Sequence, residues 1–585
     1  MALNHSKEQK FLDALSEVIE ANFSNESFGV SDLAKEMGLS HSSLHRKLKA
    51  IVQQSISQFI RETRLKRAME LLRLQAGTVA EIAFGVGFGS TTYFSKCFHD
   101  YFGYPPGEVK KRFLPEHATG DSLQDIDKPE HQIRSIAVLP FDNYTGDENQ
   151  AFLAFGMHDT LISELGQLGA IRVVSKTSAL CYLDSKKRIK EIASELHVDA
   201  IIEASVLSVG ENIRVQLKLI KAFPEEEQIW AQTYDVDLSN ILKLYSQIIK
   251  TIASEIQITL TPEQQSQLDG KREVHPESYK AYLLGMYNLN LLTPEGMEKG
   301  LEYLQEAVRI APSEPFAYAG LALGYLEIAH GFFDPGDSYT KAEAAALKGF
   351  ELNIPTAEIY TALAELYMYA FWRFEEAEAY YKKAIALNPN FYQTHYHYSW
   401  ALFLFGRMEE AIAEHELAQQ GDPLNPLYTS MLGALYCYDG RYEDAIREAR
   451  KSLEIQKDYP FGYWTMGEAY LALGKENLAI EAHLKLTEVA PWFGWPLGHT
   501  YALTNHRDKA EKILGELEKT EVTNWTALAR AVLYGALGRM DDAFKWLAYE
   551  PHHLWIPWVT VMPMWKPLYG DSRYDDFVER LKLPH

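Results

Sequence analysis

Residues 406–445 read GRMEEAIAEHELAQQGDPLNPLYTSMLGALYCYDGRYEDA, and the last six of them repeat the first six in kind. The two closing alanines, Ala411 and Ala445, are 34 residues apart, and the same interval reaches Ala377 behind them and Ala479 ahead. WRFEE, GRMEE, GRYED and GKENL precede the four alanines in turn. Pro389, Pro423 and Pro491 follow Ala377, Ala411 and Ala479 by twelve residues, and Gly433 with Tyr436 returns as Gly467 with Tyr470. A period of this length marks a copied pair of helices, with small residues where the helices cross and proline where the second one ends. Gly300 and Ala342 fill the alanine slot upstream, and Ala510 and Ala543 fill it downstream, so about seven units are expected. Such units stack into a superhelix, because none can bury its apolar side alone.

Outward from the repeats, the chain of 585 residues is too long for one core, and the usual domain size suggests about four core-sized units. With 47% hydrophobic and 23% charged residues it has the composition of a folded protein. The first twenty residues alternate polar and apolar, unlike a secretory leader, and no run of 18 apolar residues occurs. A cytoplasmic location with no membrane association is therefore expected. Cys97, Cys181 and Cys437 stand far apart, which argues against a disulfide framework or a cysteine zinc site, and they read as buried small hydrophobes.

Four segments separate by pattern. Residues 7–113 have the three-and-four spacing of helices, and 114–133 have the Pro, Gly and acidic content of a linker. From 134 to 262, short apolar runs (IAVLPF, IRVVS, DAIIEASVLSV, IRVQLKLI, QIWAQTYDV) alternate with helical stretches, which reads as a small α/β domain. The array occupies 275–585. The fold class expected is multidomain and mainly α: an all-α domain, a small α/β domain and an α-solenoid.

The net charge of −23 hides a division, since 13 Lys and Arg face only 6 Asp and Glu between Lys35 and Arg112. A small basic module can neutralise phosphates, whereas the acidic remainder repels them. Within that module, Val30-Ser-Asp-Leu-Ala34-Lys-Glu-Met-Gly38-Leu-Ser-His-Ser-Ser-Leu44 places a small residue four before a turn glycine and an apolar residue six after it. The stretch from Val79 to Tyr93, with Ala83 and Gly87, repeats this spacing 49 residues later. That is helix-turn-helix grammar: alanine lets two helices cross, glycine takes the positive φ of the turn, and the next helix offers polar side chains to a major groove.

Phe11 to Phe113 resembles the DNA-binding domain of the AraC/XylS family of transcription regulators. The motif of its second half is met by Ile82-Ala83, Val86-Gly87-Phe88, Tyr93-Phe94-Ser95-Lys96, Phe98, Phe102-Gly103 and Pro106, with His99 in place of the usual basic residue. In that family the module usually comes last, and here it comes first. The resemblance implies that His41, Ser42, Ser43, His45, Arg46 and Lys49 face one groove of double-stranded DNA, and that Ser90, Thr91, Thr92, Ser95 and Lys96 face the next. Leu44, Leu48, Tyr93, Phe94 and Phe98 would point inward, and the long helix Ile56 to Arg73 would set the two units about 34 Å apart. Arg46 is the expected base contact, and Lys49 and Lys96 are expected at phosphates.

Residues 134–260 resemble the TolB-like domain found before tetratricopeptide repeats, through Ser135-Ile-Ala-Val-Leu-Pro-Phe141, Phe155-Gly156-Met-His-Asp-Thr-Leu161, Val173-Val-Ser-Lys-Thr-Ser178 and Trp230-Ala-Gln-Thr-Tyr-Asp235. Its acidic motif departs, with Ala154-Phe-Gly-Met-His-Asp159 in place. The repeats themselves resemble the tetratricopeptide consensus. In them Tyr396, Trp400, Tyr438, Trp464, Trp495 and His499 form a candidate groove for a small-molecule, peptide or protein effector, or else are packing residues of the superhelix. The closing aromatics from Trp555 to Phe577 read as a cap over the last repeat.

No nucleophile with a base, no phosphate loop and no metal-ligand cluster stands out, so neither an enzyme nor a cofactor is expected. His41 and His45 have chelating spacing but lack a third ligand nearby. The function expected is that of a one-component regulator, an activator by resemblance, with RNA polymerase as protein partner. The middle domain would couple the array to the DNA module or form a homodimer contact. The alternative is an interaction scaffold that uses the array without specific DNA binding.

Overall fold

The computed structural model describes residues 28–52, 55–73, 79–88, 133–144, 151–209, 212–270, 273–330, 336–352, 356–549 and 555–583, with Phe11, Leu15, Val18, Ile19, Phe94, Lys96, Cys97, Phe98 and Pro106. It divides into two compact units, Met1–Lys128 and Pro129–His585.

In the first unit the helices are α1 (Val30–Glu36), α2 (His41–Val52), α3 (Ile56–Arg73) and α4 (Val79–Gly85). Gly38 and Gly87 follow α1 and α4 with φ of +65° and +81°, the left-handed turn that the spacing required. Ser40 starts α2 by accepting the Ser43 N–H on its hydroxyl, and Ser55 does the same for Gln58 at the start of α3. Two cores form. Phe11, Leu15, Ile19, Leu33, Ala34, Leu44 and Leu48 pack with Ile56 and Ile60 of α3. Ile82, Ala83, Val86, Phe88, Phe94 and Phe98 pack with Leu65, Ala68, Met69 and Leu72 of the same helix. One helix of 18 residues, about 27 Å long, thus serves both cores from its two halves.

The second unit opens with a mixed sheet: β1 (Ser135–Val138), β2 (Asp142–Asn143), β3 (Arg172–Val173), β4 (Ala200–Val209), β5 (Asn212–Lys221) and β6 (Glu227–Asp237). The order is β3-β1-β4-β5-β6, with β2 also beside β4. Pairing is parallel among β3, β1 and β4 and antiparallel from β4 to β6. The buried helix α5 (Ala151–Gly166) links the parallel strands, followed by α6 (Lys176–Leu180), α7 (Ile189–Leu196), α8 (Ile241–Glu255) and α9 (Pro262–Asp269).

The array then runs through α10 (Pro276–Leu289) with α11 (Pro294–Ile310), α12 (Pro315–His330) with α13 (Ser338–Glu351), and α14 (Ala357–Glu365) with α15 (Phe374–Leu387). It continues as α16 (Tyr392–Leu404) with α17 (Met408–Gly421), α18 (Pro426–Tyr438) with α19 (Tyr442–Ile455), and α20 (Pro460–Ala472) with α21 (Glu476–Val489). The last pairs are α22 (Trp495–Leu503) with α23 (Arg507–Leu517) and α24 (Asn524–Ala536) with α25 (Met540–Leu547). That makes eight pairs among the described residues, one for each of the eight positions named in the alanine slot. Gly300, Ala342, Ala377, Ala411, Ala445, Ala479, Ala510 and Ala543 all lie buried on the second helices, where the pairs cross. The array and the α/β part are joined by buried polar contacts. Asn390 donates to the Gly166 and Ile171 carbonyls and accepts from Val173, while Asp422 accepts from the Ser178 amide and hydroxyl. Both residues sit in turns between repeats, beside Pro389 and Pro423.

Two expectations are corrected here. Cys97 and Cys437 are buried, but Cys181 is exposed, because it falls in the turn that ends α6. The closing segment does more than cover the last repeat. Its short helical turns, Pro557–Thr560 and Pro563–Leu568, lead into α26 (Ser572–Leu581). Trp565 is fully buried, while Trp558 reaches back to donate its indole N–H to the carbonyl of Trp400 at 3.1 Å. Among the described residues no helix is long and apolar enough to cross a membrane.

Candidate functional site

On α2 the apolar and polar positions separate cleanly. Leu44 and Leu48 are fully buried, Arg46 and Lys49 are exposed, and Ser43 and His45 are half-buried at the edge of the helix. Lys47 is turned to the other side, with its ammonium 3.8 Å from the centre of the Phe11 ring. Two cations one turn apart therefore stand free to meet a polyanion, and the third, also exposed, lies over an aromatic ring of its own domain. In the second half, Phe94 and Phe98 are buried in helical backbone, and Phe94 meets Phe88 edge-on at 5.1 Å. Lys96, between them in sequence, is exposed. The side chains of His41 and Ser42 lie outside the described residues, as do Ser90, Thr91, Thr92, Tyr93 and Ser95 altogether.

Sequence reasoning overlooked Arg64. It sits midway along α3, 9% exposed, and donates to the carbonyl of Gly87 at 3.0 Å and to that of Phe28 at 3.2 Å. Gly87 is the turn of the second helix-turn-helix, and Phe28 leads into the first. One guanidinium thereby ties both halves to the shared helix, a use suited to its planar set of donors. The available signal was an arginine in register with the apolar positions Ile60 and Ala68 of α3.

The proposed groove residues need correction. Trp400, Trp464, Trp495 and His499 are buried, and Tyr396 and Tyr438 are half-buried. Their faces are taken by neighbouring rings: Tyr396 stacks on Tyr428 at 4.8 Å, and Tyr438 on Phe403 at 5.2 Å. Trp464 lies 6.0 Å from Trp555, and Trp558 sits over Tyr369 at 5.4 Å. The chain's own final tryptophans thus occupy the face that was read as open. Even so, the indole nitrogens of Trp400 and Trp464 and both ring nitrogens of His499 are buried without a hydrogen-bond partner. Such atoms are costly in an interior and suit a site that receives a polar ligand. Burial holds His499 down to about 4 and pushes Glu468, on the same face, up to about 7.

Further along this face the structure gathers three residues that the sequence reading passed over. Glu365 lies between His330 and His397, with Oε2 3.6 Å from His330 Nδ1 and Oε1 3.4 Å from His397 Nε2. The three lie 35 and 32 residues apart, close to the repeat period, so a polar residue returning in one slot of successive repeats was the legible signal.

Residues 33–112 match the helix-turn-helix domain family, and residues 372–435 match the tetratricopeptide repeat family. The chain carries an AraC-type helix-turn-helix domain and tetratricopeptide repeats. It is 36% identical over 103 residues to the HTH-type transcriptional activator RhaR of Pectobacterium carotovorum, covering 18% of this chain and 34% of that one. It is 25% identical over 363 residues to the transcriptional regulator HilA of Salmonella typhimurium, covering 60% and 62%. A putative adenylate cyclase 3 of Rhizobium meliloti is 26% identical over 189 residues, 32% of either chain. The chain spans less than two thirds of the length of each of these relatives. Among solved structures, an AraC-type transcriptional regulator from Chromobacterium violaceum is 27% identical, covering 19% of this chain and 98% of that one at a TM-score of 0.18.

Proposed function

We propose that this protein is a cytoplasmic DNA-binding transcription regulator whose helix-turn-helix module reads two successive major grooves under the control of its repeat array. The observation that carries the reading is the shared helix α3, which builds one core at each end and is clamped to both halves by Arg64. A rigid link of this kind suits two recognition helices that must enter one duplex together. Arg46 would contact a base, and Lys49 and Lys96 would hold phosphates, all three side chains being exposed. Ser43 and His45, with His41 and Ser42, would complete the first contact surface, and Ser90, Thr91, Thr92 and Ser95 the second.

The likeness to a named activator and a named regulator supports a role in transcription, and in this reading the protein activates with RNA polymerase as partner and is not an enzyme. Residues 134–262 would be a TolB-like adaptor, held to the array through Asn390 and Asp422 and serving as coupler or homodimer contact. An effector would act on the repeat array.

Capture of genomic fragments by the full chain tests the reading. Enrichment of a few sites is expected for the wild type and its loss for a variant carrying Arg46→Ala, Lys49→Ala and Lys96→Ala. Equal capture by both would reject the DNA interface and leave the array as an interaction scaffold.

A further inference from the structure

We propose that His330, Glu365 and His397 form a site for one divalent transition-metal ion of the zinc class, with three protein ligands and a fourth position open. The residues come from three first helices in succession: His330 ends α12, Glu365 ends α14 and His397 lies within α16. One donor atom from each lies within 4.8 Å of the others. The separations of 3.6 and 3.4 Å from Glu365 are too long for good hydrogen bonds. Oε2 faces His330 and Oε1 faces His397, each separation near the edge of about 3.4 Å that bonds near 2.1 Å give a coordination tetrahedron, so the carboxylate bridges the space between the two imidazoles where an ion would sit.

The surroundings fit the same assignment. His397 meets the Tyr369 hydroxyl through Nδ1 at 2.8 Å, which fixes its ring and leaves Nε2 for an ion. Gln393 donates to Glu365 Oε1 at 3.1 Å and orients the carboxylate. Glu365 Oε2, the oxygen that faces His330, is buried without a hydrogen-bond partner, and the Glu365 side chain is 1% exposed. The two imidazoles keep 17% and 13% of their exposure, so they border solvent while the carboxylate between them does not. Directly after Glu365 the helix widens into a π-helical turn, Leu366–Ala370, a feature frequent at functional sites. Two imidazoles with one carboxylate and an open position suit zinc or another borderline divalent ion better than magnesium or calcium, which prefer oxygen ligands.

The inference does not depend on the DNA-binding reading, because metal retention is measured without DNA. The untagged full chain, stripped with chelator, is titrated with zinc chloride by calorimetry, and its metal content is read after desalting. One zinc per chain is expected for the wild type and for a His41→Ala, His45→Ala control. Glu365→Gln and the double variant His330→Gln, His397→Gln should lose at least tenfold in affinity with unchanged helical circular dichroism. Cobalt loading of the wild type, which needs no variant, should give the intense visible bands of a low-coordinate ion with nitrogen ligands. Zinc retained equally by the variants, or lost only in the His41/His45 control, would overturn the proposal. So would cobalt spectra like those of the hydrated ion, which would mark the cluster as hydrogen-bonded packing.

Discussion

Arg46 and Lys49 occupy the same exposed face of α2, yet their chemistry separates them. A guanidinium can pair with guanine in two bonds, so Arg46→Ala should relax preference at one base position by about 1 to 3 kcal/mol in a binding-site selection. Lys49→Ala should weaken all sequences alike and lower the salt slope of binding by about 1. A different residue-scale effect belongs to His158 on α5. Burial holds its imidazole down to about 4, and its Nε2–H donates to the Val138 carbonyl at 2.9 Å. The folded state keeps it neutral while the unfolded chain protonates it near 6.5, so its contribution is complete above pH 6.5 and is lost as pH falls towards 4. Up to about 3 kcal/mol is at stake. Urea unfolding of His158→Gln should show a flatter decline over that window than the wild type.

Among the elements, α3 carries the most, because it is shared by two cores and held by one buried cation. Arg64→Met leaves the Gly87 and Phe28 carbonyls without these donors and should destabilise the first unit by about 1.5 to 3 kcal/mol, measured by denaturant unfolding. Trp558→Ala removes a ring that stacks on Tyr369 and bonds to Trp400, and it should cost the array about 3 to 5 kcal/mol in the same measurement. These elements differ in how legible they were. The helix pairs were plain in the sequence because a buried small residue at each crossing returns at a near-constant period, and α3 was expected from Ile56 to Arg73 through the family resemblance. The turn glycines were equally plain, since only a positive φ explains them. The Trp558 contact was hidden, because its partners lie more than 150 residues away and local pattern cannot register them. For the same reason, Trp400 and Trp464 looked like an open groove: a repeat register tells which face a residue is on, but not what later chain covers it. Arg64 was hidden differently, its charge marking it as surface until two distant carbonyls were found around it.

At the scale of the molecule, the basic stretch from Lys35 to Arg112 stands in an otherwise acidic chain, so affinity for DNA should fall steeply with salt. Within the second unit, the α/β part is fastened to the inter-repeat turns at Asn390 and Asp422, and a change along the repeats therefore has a direct mechanical route into the sheet at Val173 and into α6 at Ser178. The central claim is that the first unit presents two recognition helices, α2 and the one holding Phe94 and Lys96, to one duplex at once. A hydroxyl-radical footprint of the full chain on a captured fragment tests it most directly. The account expects two protected patches on one side of the helix, about 10 base pairs apart, with the first lost in the variant Arg46→Ala, Lys49→Ala and the second in Lys96→Ala. A single protected patch, or two that vanish together in either variant, would contradict it.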